Sequence, residues 1–442
     1  MADKIRHIPQ YQDEIARLYP DAGTSEDMAT KNVTFQVTDA CNLACTYCYQ
    51  INKHTNVMPF EVAKDFIELL LEKDNENTKR YVDTWNSKAV VIEFIGGEPF
   101  LQIDLIDQIS DYFVKRMIET DHPWQYHHMF SICSNGVLYF DPKVQAYIKK
   151  HRNNLSFSIS IDGNKKLHDA CRIFPDGRGS YDIAIAGVRH YMDVLGGSMG
   201  SKMTIAPGNV NYVAEAVESL IETGYEDINL NCVYEEGWTE EHAKILYYQL
   251  KELADYVIDN GLFEKVYLSI FIDTFFQPKQ ADDTKTWCGG QGSMISVDYK
   301  GDIYPCIRYM ESSLGTDQPP LIVGNVKDGL LSKPEWCQKF DCLHCTTRIS
   351  ESPQECLDCP IADGCSDCLA YNYQLYGLPI KRATFICIMH KARSLANAYF
   401  WNKGYKSQGS NKRFKIWLPD EEALKIIPQE ELDMLHHMET TL

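Results

Sequence analysis

The chain has 442 residues, which is enough for two or three domains of ordinary size. It carries 43 Lys and Arg residues against 62 Asp and Glu residues, so its formal net charge is −19. A chain this acidic lacks the clustered basic side chains that bind phosphates, so we expect no nucleic-acid partner. It has no run of about eighteen apolar residues and no apolar signal core near residue 1, so we expect no membrane partner and a cytoplasmic location.

The sixteen cysteines are unusual for a cytoplasmic chain. That compartment keeps thiols reduced, so the pattern favours metal binding or catalysis over a disulfide framework. Three cysteines cluster early, three are scattered, and ten crowd into residues 288–387. We expect the scattered ones to be small buried hydrophobic residues; they are Cys133, Cys171 and Cys232.

Strand-like and helix-like segments alternate between about residues 32 and 262. The strand candidates, rich in β-branched and aromatic residues, are 33–38, 89–95, 128–133, 155–161, 202–206 and 227–233. Amphipathic helical segments follow them at 59–73, 103–120, 141–150, 181–195, 210–223 and 239–260. Six such units predict an α/β fold, with a parallel sheet that closes into a barrel or partial barrel and carries its chemistry at the carboxyl ends of the strands.

The pattern changes after about residue 262, where helical periodicity weakens. Residues 293–303 predict a hairpin, and the chain from there to about residue 385 is loop-rich, so we expect bound metal to supply much of its order. A helix returns at about 390–402, and the acidic tail from Pro419 predicts a peripheral helix. We therefore divide the chain into an N-terminal segment (1–31), a partial barrel (32–262), a cysteine-rich domain (263–400) and a C-terminal tail (401–442).

The early cysteines directly follow the first predicted strand, in the sequence Cys41-Asn-Leu-Ala-Cys45-Thr-Tyr-Cys48. Three thiolates at this spacing can hold one inorganic cluster and leave one of its irons free for a small molecule. A structural zinc knuckle is the alternative, although structural zinc sites prefer four ligands.

This segment, with an aromatic residue before its third cysteine, resembles the signature of radical S-adenosylmethionine (radical SAM) enzymes. The resemblance implies a partial (β/α)6 barrel, a [4Fe–4S] cluster on the three cysteines, and S-adenosylmethionine bound at the open iron. It also implies an external one-electron reductant of the flavodoxin or ferredoxin type.

Other loops at the strand ends resemble the cofactor-binding segments of this family. Gly96-Gly97-Glu98-Pro99 resembles the segment that receives the methionine amino group, and Ser160 and Arg172 would hold the methionine carboxylate. A surface arginine in a loop is the alternative for Arg172. The full set of cofactor contacts implied by the resemblance is Tyr47, Gly96, Gly97, Glu98, Pro99, Ser134, Asn135, Ser160, Arg172, Thr204 and Asn231.

The later cysteines resemble the seven-cysteine SPASM extension, which holds two auxiliary [4Fe–4S] clusters in radical SAM enzymes that modify peptides and proteins. By position, an inner cluster would take Cys288, Cys306 and Cys368, and an outer cluster would take Cys356, Cys359, Cys365 and Cys387. The family pattern has three residues before its sixth cysteine, whereas only two stand before Cys368 here.

A further C-x2-C pair, Cys342 and Cys345, competes with Cys337 to supply the last ligand of the inner cluster. Without such a ligand, that cluster would keep an open iron that could take a substrate thiolate. Zinc ribbons are the alternative for the whole cysteine-rich region.

The extension indicates a ribosomally made precursor peptide as substrate. The segment from Cys359 to Gly377 is most similar to thioether-forming sactipeptide or ranthipeptide maturases and to CXXX-repeat maturases. We therefore predict a thioether crosslink between a cysteine sulfur and a carbon of the peptide. Only about thirty residues precede the first strand, so we expect leader binding to come from a separate protein or the tail, or not to be needed.

Two alternatives remain at this stage. An anaerobic sulfatase-maturating enzyme shares the barrel and both auxiliary clusters, and its formylglycine-forming reaction needs a carboxylate base, for which Asp273 is a candidate. A solvated loop residue is the alternative for Asp273. The non-enzyme alternative is an iron–sulfur electron carrier, although a carrier needs no nucleotide pocket.

Overall fold

The computed structural model describes residues 30–52, 54–195, 199–280, 286, 288–314 and 318–440. The predicted N-terminal segment lies outside the described residues except for its last two positions. No helix in the described part of the chain is long and apolar enough to cross a membrane.

Parallel strands form the barrel core, as predicted, and they lie in two sheets. The first sheet contains β1 (Thr30–Thr38), β2 (Ala89–Gly96), β3 (His128–Ser134) and β4 (Leu155–Ile159). The second contains β5 (Ser201–Ile205), β6 (Asp227–Cys232) and β7 (Tyr267–Leu268). Because β4 and β5 belong to separate sheets, the barrel is partial rather than closed.

The predicted hairpin forms, and it extends the first sheet on the other side of β1. Its strands are β8 (Met294–Val297) and β9 (Asp302–Tyr304), followed by β10 (Gly324–Asn325) and β11 (Gly329–Leu330). β8 pairs parallel with β1, with Thr34 opposite Ser296, and β9 turns back antiparallel. The cysteine-rich region is therefore joined to the barrel through continuous backbone hydrogen bonds.

Helices cover the outer face of these sheets. They are α1 (Phe60–Leu71), α2 (Glu76–Tyr81), α3 (Ile103–Glu119), α4 (Pro142–Lys150), α5 (Lys165–Cys171), α6 (Tyr181–Leu195), α7 (Val213–Thr223) and α8 (Glu240–Asp259). Phe35 on β1 contacts the rings of Phe66 on α1 and Phe113 on α3 at 5.4 and 6.3 Å. Such aromatic contacts fix how the helices lie on the strands.

The strands bury apolar residues against the helices and direct polar residues inward. In β1, Val33, Phe35 and Val37 are fully buried, and the alternate positions Thr34 and Gln36 are polar. Parallel strands that are packed with apolar groups on both faces read as continuous hydrophobic runs, as β2 (AVVIEFIG) does apart from Glu93, whereas β1 and β4 alternate. The barrel interior is therefore a chamber into which β1 and β4 direct polar side chains.

The C-terminal part of the chain is helical and packs on the barrel. Its helices are α9 (Pro334–His344), α10 (Arg348–Glu351), α11 (Gln354–Leu357), α12 (Leu369–Tyr376), α13 (Cys387–Ser407), α14 (Asp420–Ala423) and α15 (Gln429–Thr440). α13 lies along α8, where the Tyr399 hydroxyl and Lys403 donate to Asp255 at 2.5 and 2.6 Å. The helix predicted at 390–402 is thus longer at both ends and continues past residue 400.

Candidate active site

The early cysteine loop follows β1 directly and lies at the carboxyl end of the barrel. A neighbouring segment holds its backbone, since Ala44 N donates to Ile173 O at 2.7 Å and Thr46 N donates to Cys171 O at 3.0 Å. The loop that follows β4 and α5 therefore fixes the loop that presents the three thiols.

A buried ion pair supports the same contact. Arg172 donates to the Asp162 carboxylate through Nε at 2.9 Å and through a terminal nitrogen at 3.4 Å, and both side chains are nearly buried. The Tyr47 hydroxyl also donates to Asp162, and the Arg172 guanidinium lies 5.4 Å from the centre of the Tyr47 ring. The predicted role of Arg172 with a ligand carboxylate stays a prediction, because its guanidinium is already bound to Asp162.

His168 supports the same segment through two hydrogen-bonding contacts. Its Nδ1 accepts from Asp162 N at 3.4 Å, and its Nε2 lies 3.0 Å from the Ser180 hydroxyl. Burial, and then the nearby positive charge of Arg172, lower the pKa of His168 to about 4. The imidazole is therefore neutral at ordinary pH, and its two nitrogens serve as hydrogen-bonding groups.

The two glycines that end β2 allow the first two loops to touch. A Cβ on Gly97 would lie 2.3 Å from Ala40 O, and one on Gly96 would lie 2.6 Å from Thr38 O. Gly97 N donates to Thr38 O at 3.1 Å. The glycines are thus required by the close approach of the cysteine loop, whatever they also contribute to ligand binding.

Glu98 lies beneath this junction and is fully buried. It accepts from Phe100 N at 3.1 Å, from Asn135 N at 2.8 Å and from the Ser134 hydroxyl at 2.7 Å. Pro99 follows it and begins a short 3-10 turn. Glu98 and Ser134 therefore tie the loop after β2 to the loop after β3.

Asn135 points from the loop after β3 toward the cysteine loop. Its side-chain amide donates to Asn42 Oδ1 at 2.6 Å and lies 3.9 Å from Cys41 Sγ. This brings a predicted cofactor contact together with a predicted cluster cysteine.

The remaining predicted contacts lie on the strands that face the chamber. Thr204 and Asn231 are opposite each other on β5 and β6, and Asn231 is exposed. Ser160 lies 3.4 Å from Cys133 Sγ. Cys133 is exposed, so the prediction that it is a buried hydrophobic residue is wrong. It occupies an inward-facing position of β3, next to the buried Ile132.

The later cysteines form two groups. The first contains Cys288, Cys306 and Cys368. These thiols lie close enough together that a negative charge on one raises the pKa of another. Burial, followed by the charge of Cys368, raises the pKa of Cys306 to about 12. Three partly buried thiols that repel one another as anions fit a site for a bound metal cation, which stabilises thiolates.

The second group lines a cavity of about 410 Å³ and contains Cys356, Cys359, Cys365 and Cys387. Burial raises the pKa of the Cys356 thiol to about 11. Because Cys356 also interacts with Cys365 and Cys387, these thiols surround one volume. Four thiols around one cavity fit a cubane iron–sulfur cluster.

The additional cysteines of α9 lie beside the first group. Gln291, near Cys288, donates to Leu343 O at 2.7 Å and to Thr346 O at 2.6 Å, which places the Cys342–Cys345 turn next to the Cys288 loop. Cys342 interacts with Cys345, whereas Cys337 Sγ donates to Leu331 O at 3.0 Å. The choice of an additional ligand among these three stays a prediction.

Arg308 links the barrel mouth to the first group of thiols, and no motif in the sequence singles it out. It donates to Glu235, in the loop after β6, at 3.0 Å. Its charge also acts on Cys306 and Cys368 and on Tyr49, which follows Cys48. It therefore lies between the early cysteine loop and the inner thiols.

Comparison with known families decides the class. The model of the radical SAM superfamily matches residues 35–247, which contain the end of β1, the early cysteine loop and β2–β6. These residues form a radical SAM domain. The family implies a [4Fe–4S] cluster and S-adenosylmethionine, and Cys41, Cys45 and Cys48 on one braced loop fit that donor set. The electron-carrier alternative is therefore wrong.

One curated relative aligns with most of this chain. It is the radical SAM cyclopropyl synthase TigE from Paramaledivibacter caminithermalis, which is 24% identical over 401 residues, or 84% of this chain and 74% of TigE.

Solved structures share the fold at low sequence identity. The enzyme anSMEcpe with bound AdoMet and the Kp18Cys peptide aligns at a TM-score of 0.61 and 16% identity, over 86% of this chain and 99% of the other. Streptococcus suis SuiB bound to precursor peptide SuiA aligns at a TM-score of 0.54 and 15% identity, over 86% of this chain and 80% of SuiB.

Proposed function

We propose that this radical SAM enzyme is a peptide maturase that joins a cysteine sulfur to a carbon of a ribosomally made precursor peptide. The observation that carries the proposal is the presence of two groups of partly buried thiols, one of three and one of four cysteines, in the cysteine-rich region. Similarity to TigE and the shared fold with two peptide-bound structures support a peptide substrate.

The cluster on the early cysteines, with S-adenosylmethionine, would supply the 5′-deoxyadenosyl radical that takes a hydrogen atom from carbon. The protein's own part is to position the reacting carbon and exclude water. Asp162, Arg172 and His168 hold the cysteine loop rigid, and Glu98 fixes the loops after β2 and β3. The chamber below them would receive the substrate residue.

Thioether formation removes two hydrogens in total from the peptide. One would leave the carbon as a hydrogen atom, and the thiol would lose a proton and one electron, for which an auxiliary cluster on the later cysteines would be the acceptor. The inner group has three thiols and would leave one coordination place for the substrate sulfur. Arg308, between that group and the barrel mouth, would stabilise a substrate thiolate by its positive charge.

The second candidate function is that of an anaerobic sulfatase maturase, which the fold shared with anSMEcpe favours. The position of Asp273, the candidate base for that reaction, does not support this second function. Asp273 is exposed, and the Tyr405 hydroxyl on α13 donates to it at 3.1 Å. The thioether proposal therefore stands first.

The proposal includes two partners. An external one-electron reductant of the flavodoxin or ferredoxin type would start each turnover. A separate leader-binding protein would help to deliver the precursor peptide. The strongly acidic surface would favour a basic peptide through long-range attraction.

The deciding experiment is anaerobic co-expression with short cysteine-containing peptides encoded beside the gene, followed by mass spectrometry. The expected product is lighter by two hydrogens and has one cysteine that no longer reacts with iodoacetamide. A product in which a cysteine or serine has become an aldehyde would favour sulfatase maturation. Cleavage of S-adenosylmethionine with no mass change in any such peptide would contradict crosslinking.

A matched pair of variants tests the role of Arg308. Arg308→Gln is expected to slow crosslinking at least tenfold while 5′-deoxyadenosine still forms without peptide, since a factor of ten corresponds to only about 1.4 kcal/mol. Arg178→Gln, which removes an exposed arginine paired with Asp176, serves as the control.

A further inference from the structure

Arg382 lies in the segment between α12 and α13 and reaches into the cavity of the four outer thiols. One terminal nitrogen donates to Cys365 O at 3.0 Å, to Ser366 O at 3.4 Å and to Cys365 Sγ at 3.4 Å. Its side chain is 8% exposed. The guanidinium is therefore held by backbone carbonyls while it also contacts a sulfur.

Other groups keep Arg382 in place. Its other terminal nitrogen lies 3.7 Å from Glu351 Oε1, and its backbone N–H donates to Glu351 O at 3.0 Å. Glu351 is itself buried, and Asn372 donates to its second oxygen at 3.4 Å. One end of the guanidinium fork is therefore hydrogen-bonded, and the other end lies within ion-pair distance of Glu351.

Charges of both signs act on the same thiols, and the carboxylates among them are Glu355 and Glu422. Arg393 acts on Cys365, and Lys391 acts on Cys359 and Cys387. Among the described residues, the Nε of Arg393 is buried without a hydrogen-bond partner. A buried guanidinium with an unpaired donor is costly unless a nearby anion compensates it, and an iron–sulfur cluster with four thiolates is such an anion.

The potential of an iron–sulfur cluster depends on its net charge, its burial and the hydrogen bonds to its sulfurs. Reduction adds one negative charge, which a cation that donates to a ligand sulfur stabilises more than it stabilises the oxidised form. The same contact would therefore make the cluster easier to reduce.

We propose that Arg382 is a positioning residue that raises the reduction potential of the outer auxiliary cluster through its hydrogen bond to Cys365. This role of Arg382 rests on the proposed function, because it requires the auxiliary clusters. The outer cluster is then biased to accept an electron.

Arg348 provides a matched control in the same cavity. It is also buried, and it donates to Cys356 O at 3.3 Å and to Leu357 O at 3.2 Å. Within the described part of the chain, its hydrogen bonds go to these carbonyls and not to sulfur. Replacing it should disturb loop bracing to a similar degree without removing an N–H···S contact.

The test is a redox titration followed by electron paramagnetic resonance on the full chain with Cys41, Cys45 and Cys48 replaced by Ala. This background removes the signal of the radical SAM cluster and keeps the inner cluster as an internal reference. In Arg382→Gln, the reduction equilibrium of the outer cluster should become about tenfold less favourable, or about 59 mV for one electron. In Arg348→Gln it should shift clearly less, because that change removes a charge but no N–H···S contact, and at the inner cluster it should stay unchanged.

Iron content separates the possible failures. Full iron with an unchanged outer potential in Arg382→Gln would overturn the role of Arg382 and leave the proposed function intact. If Arg382→Gln loses iron, Arg382→Lys decides instead, because lysine keeps the charge but cannot span the carbonyls and the sulfur. A wild-type potential in that variant would reject the proposal. Absence of auxiliary iron in the parent chain would refute both proposals.

Discussion

Asp162 and Arg172 form a two-point ion pair beneath the early cysteine loop, with Nε 2.9 Å from Oδ2 and a terminal nitrogen 3.4 Å from Oδ1. Asp162 also accepts from Tyr47, which stands between Cys45 and Cys48. The segment after β4 therefore fixes a loop that follows β1, although the two are more than a hundred residues apart in sequence.

We expect Asp162→Ala to weaken this junction strongly. Removing one partner of a buried ion pair leaves an uncompensated charge and typically costs about 3–5 kcal/mol. Denaturant unfolding under anaerobic conditions measures this loss, and iron retained by the early cysteines should fall with it. Asp176→Ala, which breaks the exposed pair with Arg178, should leave both quantities unchanged. Equal effects of the two substitutions would show that the buried pair has no special role.

Gly97→Ala tests the contact between the first two loops. The added Cβ would lie 2.3 Å from Ala40 O and 2.5 Å from Ala40 C, so the cysteine loop must move. We expect a loss of about 1–3 kcal/mol in the free energy of unfolding, typical of overpacking, together with weaker binding of S-adenosylmethionine. Gly208→Ala is the control, because nothing lies within 4 Å of its added Cβ. Calorimetric titration of S-adenosylmethionine into the reconstituted enzyme gives the binding result.

Local periodicity accounts for most of what could be predicted. The ends of the predicted strands and helices of the barrel lie within three residues of the observed ends. This agreement arises because the alternating and helical patterns depend on residues that are close together in sequence. The alternation of β3 also contained the information that Cys133 is not buried against the helices. Since Phe130 and Ile132 face the helices, the residue after Ile132 must face the chamber.

Long-range pairing explains what was missed. The joining of β8 to β1 links residues about 260 positions apart, and no local pattern specifies such a partner. α13 is buried over much of its surface, so it lacks the amphipathic periodicity that marks a helix on one face. Arg308 and Arg382 are single arginines in loops, and only the fold brings them to the thiols.

His168 predicts a specific dependence of stability on pH. Its pKa in the folded chain is about 4, while an unfolded histidine titrates near 6.5. The neutral imidazole therefore contributes its full stability above pH 6.5, and this contribution is lost as the pH falls toward 4. Linkage gives a loss of about 2 kcal/mol by pH 5.

Unfolding in denaturant at pH 7 and pH 5 measures this effect. His168→Gln should lose less stability than the wild type between the two pH values, although it is less stable at pH 7. The exposed His54 offers a control, and His54→Gln should keep the wild-type difference. If His168→Gln loses as much stability between pH 7 and pH 5 as the wild type does, groups other than His168 cause the acid destabilisation.

Iron analysis of single cysteine variants tests the division of the later thiols. Three [4Fe–4S] clusters predict about twelve irons per chain. Cys356→Ala, which breaks the group around the outer cavity, should remove about four of them. Cys337→Ala should leave the iron content unchanged, because that thiol donates to the carbonyl of Leu331.

The remaining pair decides the last inner ligand. If Cys342 or Cys345 binds the inner cluster, its replacement by alanine should change the resonance signal of that cluster while the outer cluster keeps its own. If neither binds, both variants should match the wild type, and an added thiol such as cysteamine should perturb the inner signal by occupying the open iron. Because Cys342 is the more buried of the two and Cys345 is exposed, we expect Cys342→Ala to have the larger effect on stability and Cys345→Ala to be the clearer test of ligation.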